Sequence, residues 1–110
     1  MNILPLVCRI VLLKNGQSTE KLDVEEQILN YKFEQGNIYI QIGGEEYSKQ
    51  QIKDAMMKVL FSNNKSFENI ANLDMTTGGK VRRTAANKIR MWLKDNFPVM
   101  FDVLAHFEEK

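Results

Sequence analysis

The chain of 110 residues has one cysteine, one histidine and two prolines, and these scarcities exclude several classes of protein. With Cys8 alone, an internal disulfide framework cannot form. One cysteine and one histidine, His106, are too few for a zinc site or for a catalytic nucleophile and base pair. No apolar run approaches the roughly 20 residues of a membrane-spanning helix. We therefore expect no metal, no cofactor, no membrane segment and no enzymatic activity.

The composition is that of an ordinary folded protein, with 44% hydrophobic and 26% charged residues. Such a chain can bury a core, and its length fits one domain spanning residues 1–110. The apolar run 6–13 is interrupted by Arg9 and lacks both a basic start and a small-residue cleavage site. We therefore interpret it as a buried strand and not as a signal peptide, with Cys8 as an inert core thiol. A cytoplasmic location is the corresponding expectation.

Residues 1–44 show the patterns of strands and hairpins. Asn15-Gly16 follows the first apolar run, and Asn-Gly is a strong signal for a two-residue hairpin turn. A second turn is predicted at Gln35-Gly36-Asn37. Apolar and polar residues alternate on both sides of it, as expected for a sheet with one solvated face. The alternating apolar residues are Leu29, Tyr31 and Phe33, and then Ile38, Ile40 and Ile42. This half predicts an antiparallel β-meander of three to four strands.

Residues 48–110 favour helices, so the predicted fold class is α+β, a β-meander followed by a three- to four-helix unit. Ser48 and Gln51 match a capping box that opens the first helix. Ser66 is a second predicted N-cap, and Pro98 suits the first turn of the last helix. Asp102 and His106 have the i,i+4 spacing of a surface pair. The predicted helices cover residues 51–60, 66–73, 80–96 and 98–107.

Charge is distributed unevenly along this chain of net charge +1. Residues 1–75 carry eight basic and ten acidic side chains, whereas residues 76–94 carry six basic ones and no acid. We call these six the basic stripe, and it is typical of surfaces that bind nucleic acid or another phosphate-bearing partner. Its members are Lys80, Arg82, Arg83, Lys88, Arg90 and Lys94.

The segments Ser66-Phe67-Glu68-Asn69-Ile70-Ala71-Asn72-Leu73 and Thr76-Thr77-Gly78-Gly79-Lys80-Val81-Arg82-Arg83 resemble the two central helices of a helix-turn-helix. The resemblance implies that the first turns of the second helix enter the major groove. The implied base-contacting residues are Thr77, Lys80, Arg83, Thr84 and Asn87. Arg90 and Lys94 would then contact backbone phosphates.

The predicted function is therefore non-enzymatic nucleic-acid binding through residues 80–94, with duplex DNA favoured over RNA. An alternative is a protein–protein interaction module, an inhibitor or adaptor that docks its basic helix on an acidic partner surface. A homodimer with its interface on the methionine- and tryptophan-bearing helices is a third interpretation.

Overall fold

The computed structural model describes residues 3–36, 38–62, 64–71 and 84–107, and within these ranges all the secondary structure is helical. In chain order the helices are α1 Ile3–Lys14, α2 Glu20–Gln35, α3 Ile38–Gly43, α4 Lys49–Leu60, α5 Asn64–Ala71, α6 Ala85–Asn96 and α7 Pro98–His106. Every one of them contributes to a single cluster of buried side chains.

Helix α7 is the centre of the bundle. It packs against α1, α2, α5 and α6, whereas α4 packs mainly on α6 and α3. Its sequence explains this position, because apolar residues surround the helix and five of its nine residues are buried. Phe101 stacks edge-on against Phe67 of α5, with ring centroids 5.7 Å apart. The thiol of Cys8, fully buried on α1, lies 3.9 Å from the carbonyl oxygen of Met100.

The predicted β-meander is wrong, and with it the α+β fold class. The run 6–13 lies within α1, since an apolar segment of this length fits a buried helix as well as a strand. Asn15-Gly16 ends this helix instead of turning a hairpin. Gly16 has φ +66°, and the amides of Gly16 and Gln17 donate to the carbonyls of Leu13 and Leu12. This is a Schellman cap, which needs the same positive φ as the expected turn.

The alternation over residues 29–42 also belongs to helices. In α2 the buried residues Leu22, Glu25 and Leu29 follow the helical period. Because Glu25 is charged, a pattern of hydrophobic residues alone does not reveal this period. In α3, Ile38 and Ile42 are buried while Ile40 is 58% exposed, so the period is four and not two. A turn was predicted at Gln35-Gly36-Asn37, and the chain does break there, since α2 ends at Gln35 and α3 begins at Ile38. The elements that it separates are helices and not strands.

The helical half follows the sequence more closely. The capping box at Ser48 is confirmed, with the Gln51 amide donating to the Ser48 hydroxyl and the Ser48 amide to the Gln51 side chain. Pro98 lies in the first turn of α7 as predicted. Ser66 is not an N-cap, because α5 already begins at Asn64. Of the predicted helix 80–96, the structure describes residues 84–96. There α6 begins at Ala85, because Thr84 is its N-cap and has an extended backbone.

A buried carboxylate attaches α2 to the N-terminus of α7. Glu25 is 7% exposed, and its Oε2 and Oε1 accept hydrogen bonds from the amides of Val99 at 2.8 Å and Met100 at 2.9 Å. The first amides of a helix have no partner within the helix, so a carboxylate here satisfies two donors and interacts favourably with the helix dipole. Phe97, the residue preceding α7, does not cap the helix with its side chain. Glu25, which is distant in the sequence, caps it instead.

Replacing Glu25 by alanine should lower the free energy of unfolding by about 2–4 kcal/mol, because two amides lose their acceptor. Urea denaturation followed by circular dichroism measures the change. Glu34→Ala is the matched control, since Glu34 is exposed on the same helix and its loss should cost less than about 0.5 kcal/mol. Equal effects of the two substitutions would contradict the capping role.

Burial raises the pKa of Glu25 above its ordinary value, and this effect outweighs the two amide hydrogen bonds, which lower the pKa. The folded chain therefore holds the proton to a higher pH than the unfolded chain, in which the pKa of a glutamate is about 4.3. Between the two pKa values the contribution of Glu25 to stability falls as the pH rises. A carbon-detected NMR titration should show the raised pKa, and a pKa below ~4.3 would contradict it.

Candidate functional site

The described part of the predicted nucleic-acid interface lies on α6, where several of its side chains have structural roles. Thr84 is the N-cap of α6, and its hydroxyl accepts from the Asn87 amide at 3.1 Å. The Asn87 side-chain oxygen in turn accepts from Nη1 of Arg90 at 2.7 Å. These local bonds fix the first turns of α6.

Arg90 is buried against the core and does not project into solvent. It is 8% exposed, and its guanidinium lies 5.3 Å from the centre of the Phe67 ring, a cation–π contact that joins α6 to α5. Burial lowers the pKa of this guanidinium, although an arginine stays charged at neutral pH. A phosphate of a docked duplex would have to compete with these contacts.

The two described lysines of the basic stripe also contact other parts of the fold. Lys94 donates from Nζ to the carbonyl oxygen of Ile70 at 3.2 Å, near the C-terminus of α5, where a cation is favourable. Lys88 lies 3.1 Å from a carboxylate oxygen of Glu46 and 5.6 Å from the centre of the Tyr47 ring. The described cations of α6 therefore join this helix to its neighbours.

The remaining predicted site residues, Thr77, Lys80 and Arg83, lie outside the described residues, as does the turn of the helix-turn-helix-like segment. The structure brings Thr84, Asn87 and Arg90 together as one hydrogen-bonded group, with Lys94 one turn further along the helix. Nucleic-acid binding through these seven residues stays a prediction.

The sequence interpretation missed an apolar stripe on the outer surface of α1. Ile3, Leu6, Ile10 and Leu13 are 36%, 54%, 45% and 63% exposed, and we call them the α1 stripe. At 100° per residue they lie about 180° around the helix from its buried residues. Those residues are Leu4, Pro5, Cys8, Val11 and Leu12. The helix is therefore apolar on the core side and on the solvent side, which is unusual for a helix at a surface.

Charged residues flank the α1 stripe. Arg9 donates hydrogen bonds from its two terminal nitrogens to Asp23, at 2.5 Å, and to Glu26, both on α2. The hydrogen bond to Asp23 is the main cause of a raised pKa for Arg9. Lys14 lies exposed at the C-terminal end of the stripe, and no ion pair joins it to a described residue. An apolar centre with a charged rim is the usual anatomy of a protein interface.

A second group of exposed apolar residues lies on α2. Val24, Ile28 and Tyr31 are 57%, 44% and 60% exposed at i, i+4 and i+7. Projected at 100° per residue, they lie about 140° around α2 from Asp23 and Glu26, which face α1. The two groups therefore point in different directions, and Ile28 has nearly the same exposure as Ile10.

A cleft of about 650 Å³ lies between the α1–α2 connection and α7. Asp102 lines it and pairs with His106 at 3.1 Å, which confirms the i,i+4 pair predicted from the sequence. In the described residues, no group of three or more histidine, cysteine or acidic side chains is arranged to hold a metal ion. The helices in these ranges all fall short of the length and apolar content of a membrane span.

The sequence matches no protein-family model, and neither a curated protein nor a solved structure shows significant similarity to the chain.

The structure predicts that charge reversal at Arg90 destabilises the fold, because this side chain is buried. Arg90→Glu would place a carboxylate against the Phe67 ring and remove the bond to Asn87, at a cost of about 3 kcal/mol or more. Lys58→Glu is the control, since it makes the same charge change at an exposed site of α4. Thermal melts compare the two variants, and a similar melting temperature for both would contradict the structural role of Arg90.

Proposed function

We propose that the chain is a protein–protein interaction module and that the α1 stripe is its docking surface for a helix of the partner. The observation that supports this most directly is the row of Ile3, Leu6, Ile10 and Leu13, each at least one-third exposed, opposite the core face of the same helix. Monomeric proteins rarely leave such a contiguous apolar row in water, and larger apolar patches with polar rims mark interaction sites.

The spacing of these residues indicates a helix as the partner element. Apolar residues at i, i+3, i+7 and i+10 form a narrow seam, and a helix with a similar seam packs its side chains into the holes between them. A membrane surface is less well matched, because the charges beside the stripe are an arginine paired with two acids and a single exposed lysine, Lys14, rather than the row of basic residues that binds anionic lipid.

The size of the stripe suggests a reversible complex. Completing the burial of a half-exposed leucine or isoleucine contributes about 1 kcal/mol. Four such side chains are far fewer than the roughly 20–30 residues a side of a standard stable interface. The proposed module therefore exchanges partners rather than forming an obligate complex.

Nucleic-acid binding is a second candidate, carried by the six basic residues and no acid in residues 76–94. Fluorescence anisotropy with a labelled duplex in a salt series tests it, since log K should fall by about 0.9 for each phosphate neutralised. Lys80→Glu with Arg83→Glu is the informative variant, because reversal at Arg90 would disturb the core. An affinity that this double variant leaves unchanged would exclude the predicted site.

Ile10→Glu should abolish partner binding while leaving the fold intact, because Ile10 is 45% exposed and makes no ion pair or cap. Ile28→Glu is the matched control, the same substitution at 44% exposure on α2. A photo-crosslinking amino acid at position 10, used in cells of the source organism, identifies the partner. The captured peptide should carry apolar residues at heptad spacing.

Capture at position 10 that persists in the Leu6→Glu/Leu13→Glu background would contradict the α1 stripe as the docking surface. So would capture of the same partner at position 28. Circular dichroism of each variant verifies that helix content is retained, so a loss of binding cannot be attributed to unfolding.

A further inference from the structure

We infer that α3 is a self-associating segment, through which copies of the chain stack as in-register strands once α3 detaches from the bundle. In the folded chain α3 is helical, and the strand belongs to the assembly alone. The inference does not use the α1 stripe, so its test is separate from that of the proposed function.

The sequence of α3 suits a strand better than a helix. Its six residues, Ile38–Gly43, comprise three isoleucines, a tyrosine, a glutamine and a glycine, with no charge and no proline. β-branched and aromatic side chains favour strands, and β-branched ones lose rotamer freedom in a helix. Six uncharged residues of high strand propensity without proline are the sequence signature of segments that stack as cross-β sheets.

The more apolar helices lack this signature. Helices α1 and α7 each contain a proline and a charged residue, Pro5 and Arg9 in the first and Pro98 and Asp102 in the second. Proline removes a hydrogen-bond donor from a strand, and identical charges repel each other when copies stack in register. Of these three apolar segments, α3 alone carries neither obstacle.

Helix α3 is also weakly held in the bundle. Its six residues are well below the roughly 12–15 that an isolated helix needs in water, so its conformation depends on packing. It packs mainly on α4 and α6 through the buried residues Ile38, Ile42 and Gly43, whereas Ile40 is 58% exposed. Segments with few buried contacts open locally while the rest of a protein stays folded.

The helices on either side of α3 have supports of their own. The capping box that begins α4 is formed by Ser48 and Gln51, both beyond α3 in the chain. Glu25 holds α2 on the first amides of α7. Opening of α3 therefore releases a short segment between two anchored helices and leaves most of the core in place.

A second copy of the same segment is the partner that these residues fit. In an extended strand Ile38, Ile40 and Ile42 lie on one face, with Tyr39 and Gln41 on the other. In-register stacking joins the isoleucines into a continuous apolar face that packs on another sheet, and the glutamines into a hydrogen-bonded ladder. Only an identical segment places each side chain on its like.

Native-state hydrogen exchange tests the opening. The amide of Gly44 donates to the carbonyl oxygen of Ile40, and that of Phe101 on α7 donates to Phe97. Gly44 should be protected about 10-fold less than Phe101, and its exchange should depend little on urea, because a local opening exposes little surface. Equal protection with the same urea dependence would mean that α3 opens only on global unfolding, which overturns the inference.

Fibre formation by the full chain tests the self-association. Shaken in urea below its unfolding midpoint, the wild type should form thioflavin-binding fibres with the ~4.7 Å strand spacing in diffraction. Ile40→Lys, at an exposed position of the folded chain, should lengthen the lag time about 5-fold or more by placing a charge in the stacked face. Ile28→Lys and Ile10→Lys are the matched controls, at 44% and 45% exposure, and should behave like the wild type.

A protease-resistant fibre core that contains α3 supports the inference. Fibres whose core lies elsewhere in the chain, or a lag time that Ile40→Lys leaves unchanged, overturn it. Equal delays with Ile40→Lys and Ile10→Lys also overturn it, since the α1 stripe would then take part in the assembly. A wild type that forms no fibres under these conditions refutes it outright.

Discussion

The buried carboxylate of Glu25 on the first amides of α7 is the contact on which the arrangement of the N-terminal helices depends. Helix α7 is the centre of the bundle, and Glu25 joins α2 to the first turn of α7. Arg9 then attaches α1 to α2 through two acids, and the Cys8 thiol of α1 lies against the Met100 carbonyl oxygen of α7. With its inner face held in this way, α1 has one orientation, and its second apolar face lies in solvent.

On α6, the described basic residues contact neighbouring parts of the fold, whereas the outer face of α1 carries exposed apolar side chains. The described cations of α6 contact a ring, a helix C-terminus and a glutamate of neighbouring segments. In the described residues, the outer apolar face of α1 is exposed, as are Val24, Ile28 and Tyr31 on α2. A basic stripe in a sequence indicates an exposed surface only if its side chains lack internal partners. Arginine is especially misleading, because its stem and planar head pack readily against aromatic rings.

The features that the sequence predicted correctly are local ones. Capping at Ser48, proline in the first turn of α7 and the Asp102–His106 pair each depend on residues within four positions of one another. The strands were predicted wrongly because the apolar runs are short. In such a run, an alternation with period two and a helical repeat with period four differ at only one or two positions. In α3 that position is Ile40, which is exposed while Ile38 and Ile42 are buried. Glu25 could not be recognised, because its partner lies 74 residues away and a charged residue is rarely buried.

The central claim is that the outer face of α1 is a docking surface. The most direct measurement is a methyl NMR spectrum of the isoleucine, leucine and valine residues recorded with and without the partner captured at position 10. The methyl signals of Ile3, Leu6, Ile10 and Leu13 should shift or broaden when the partner is added, while those of Val24 and Ile28 stay constant. Signals of the α1 stripe that do not change while those of α2 or α6 move would contradict the claim.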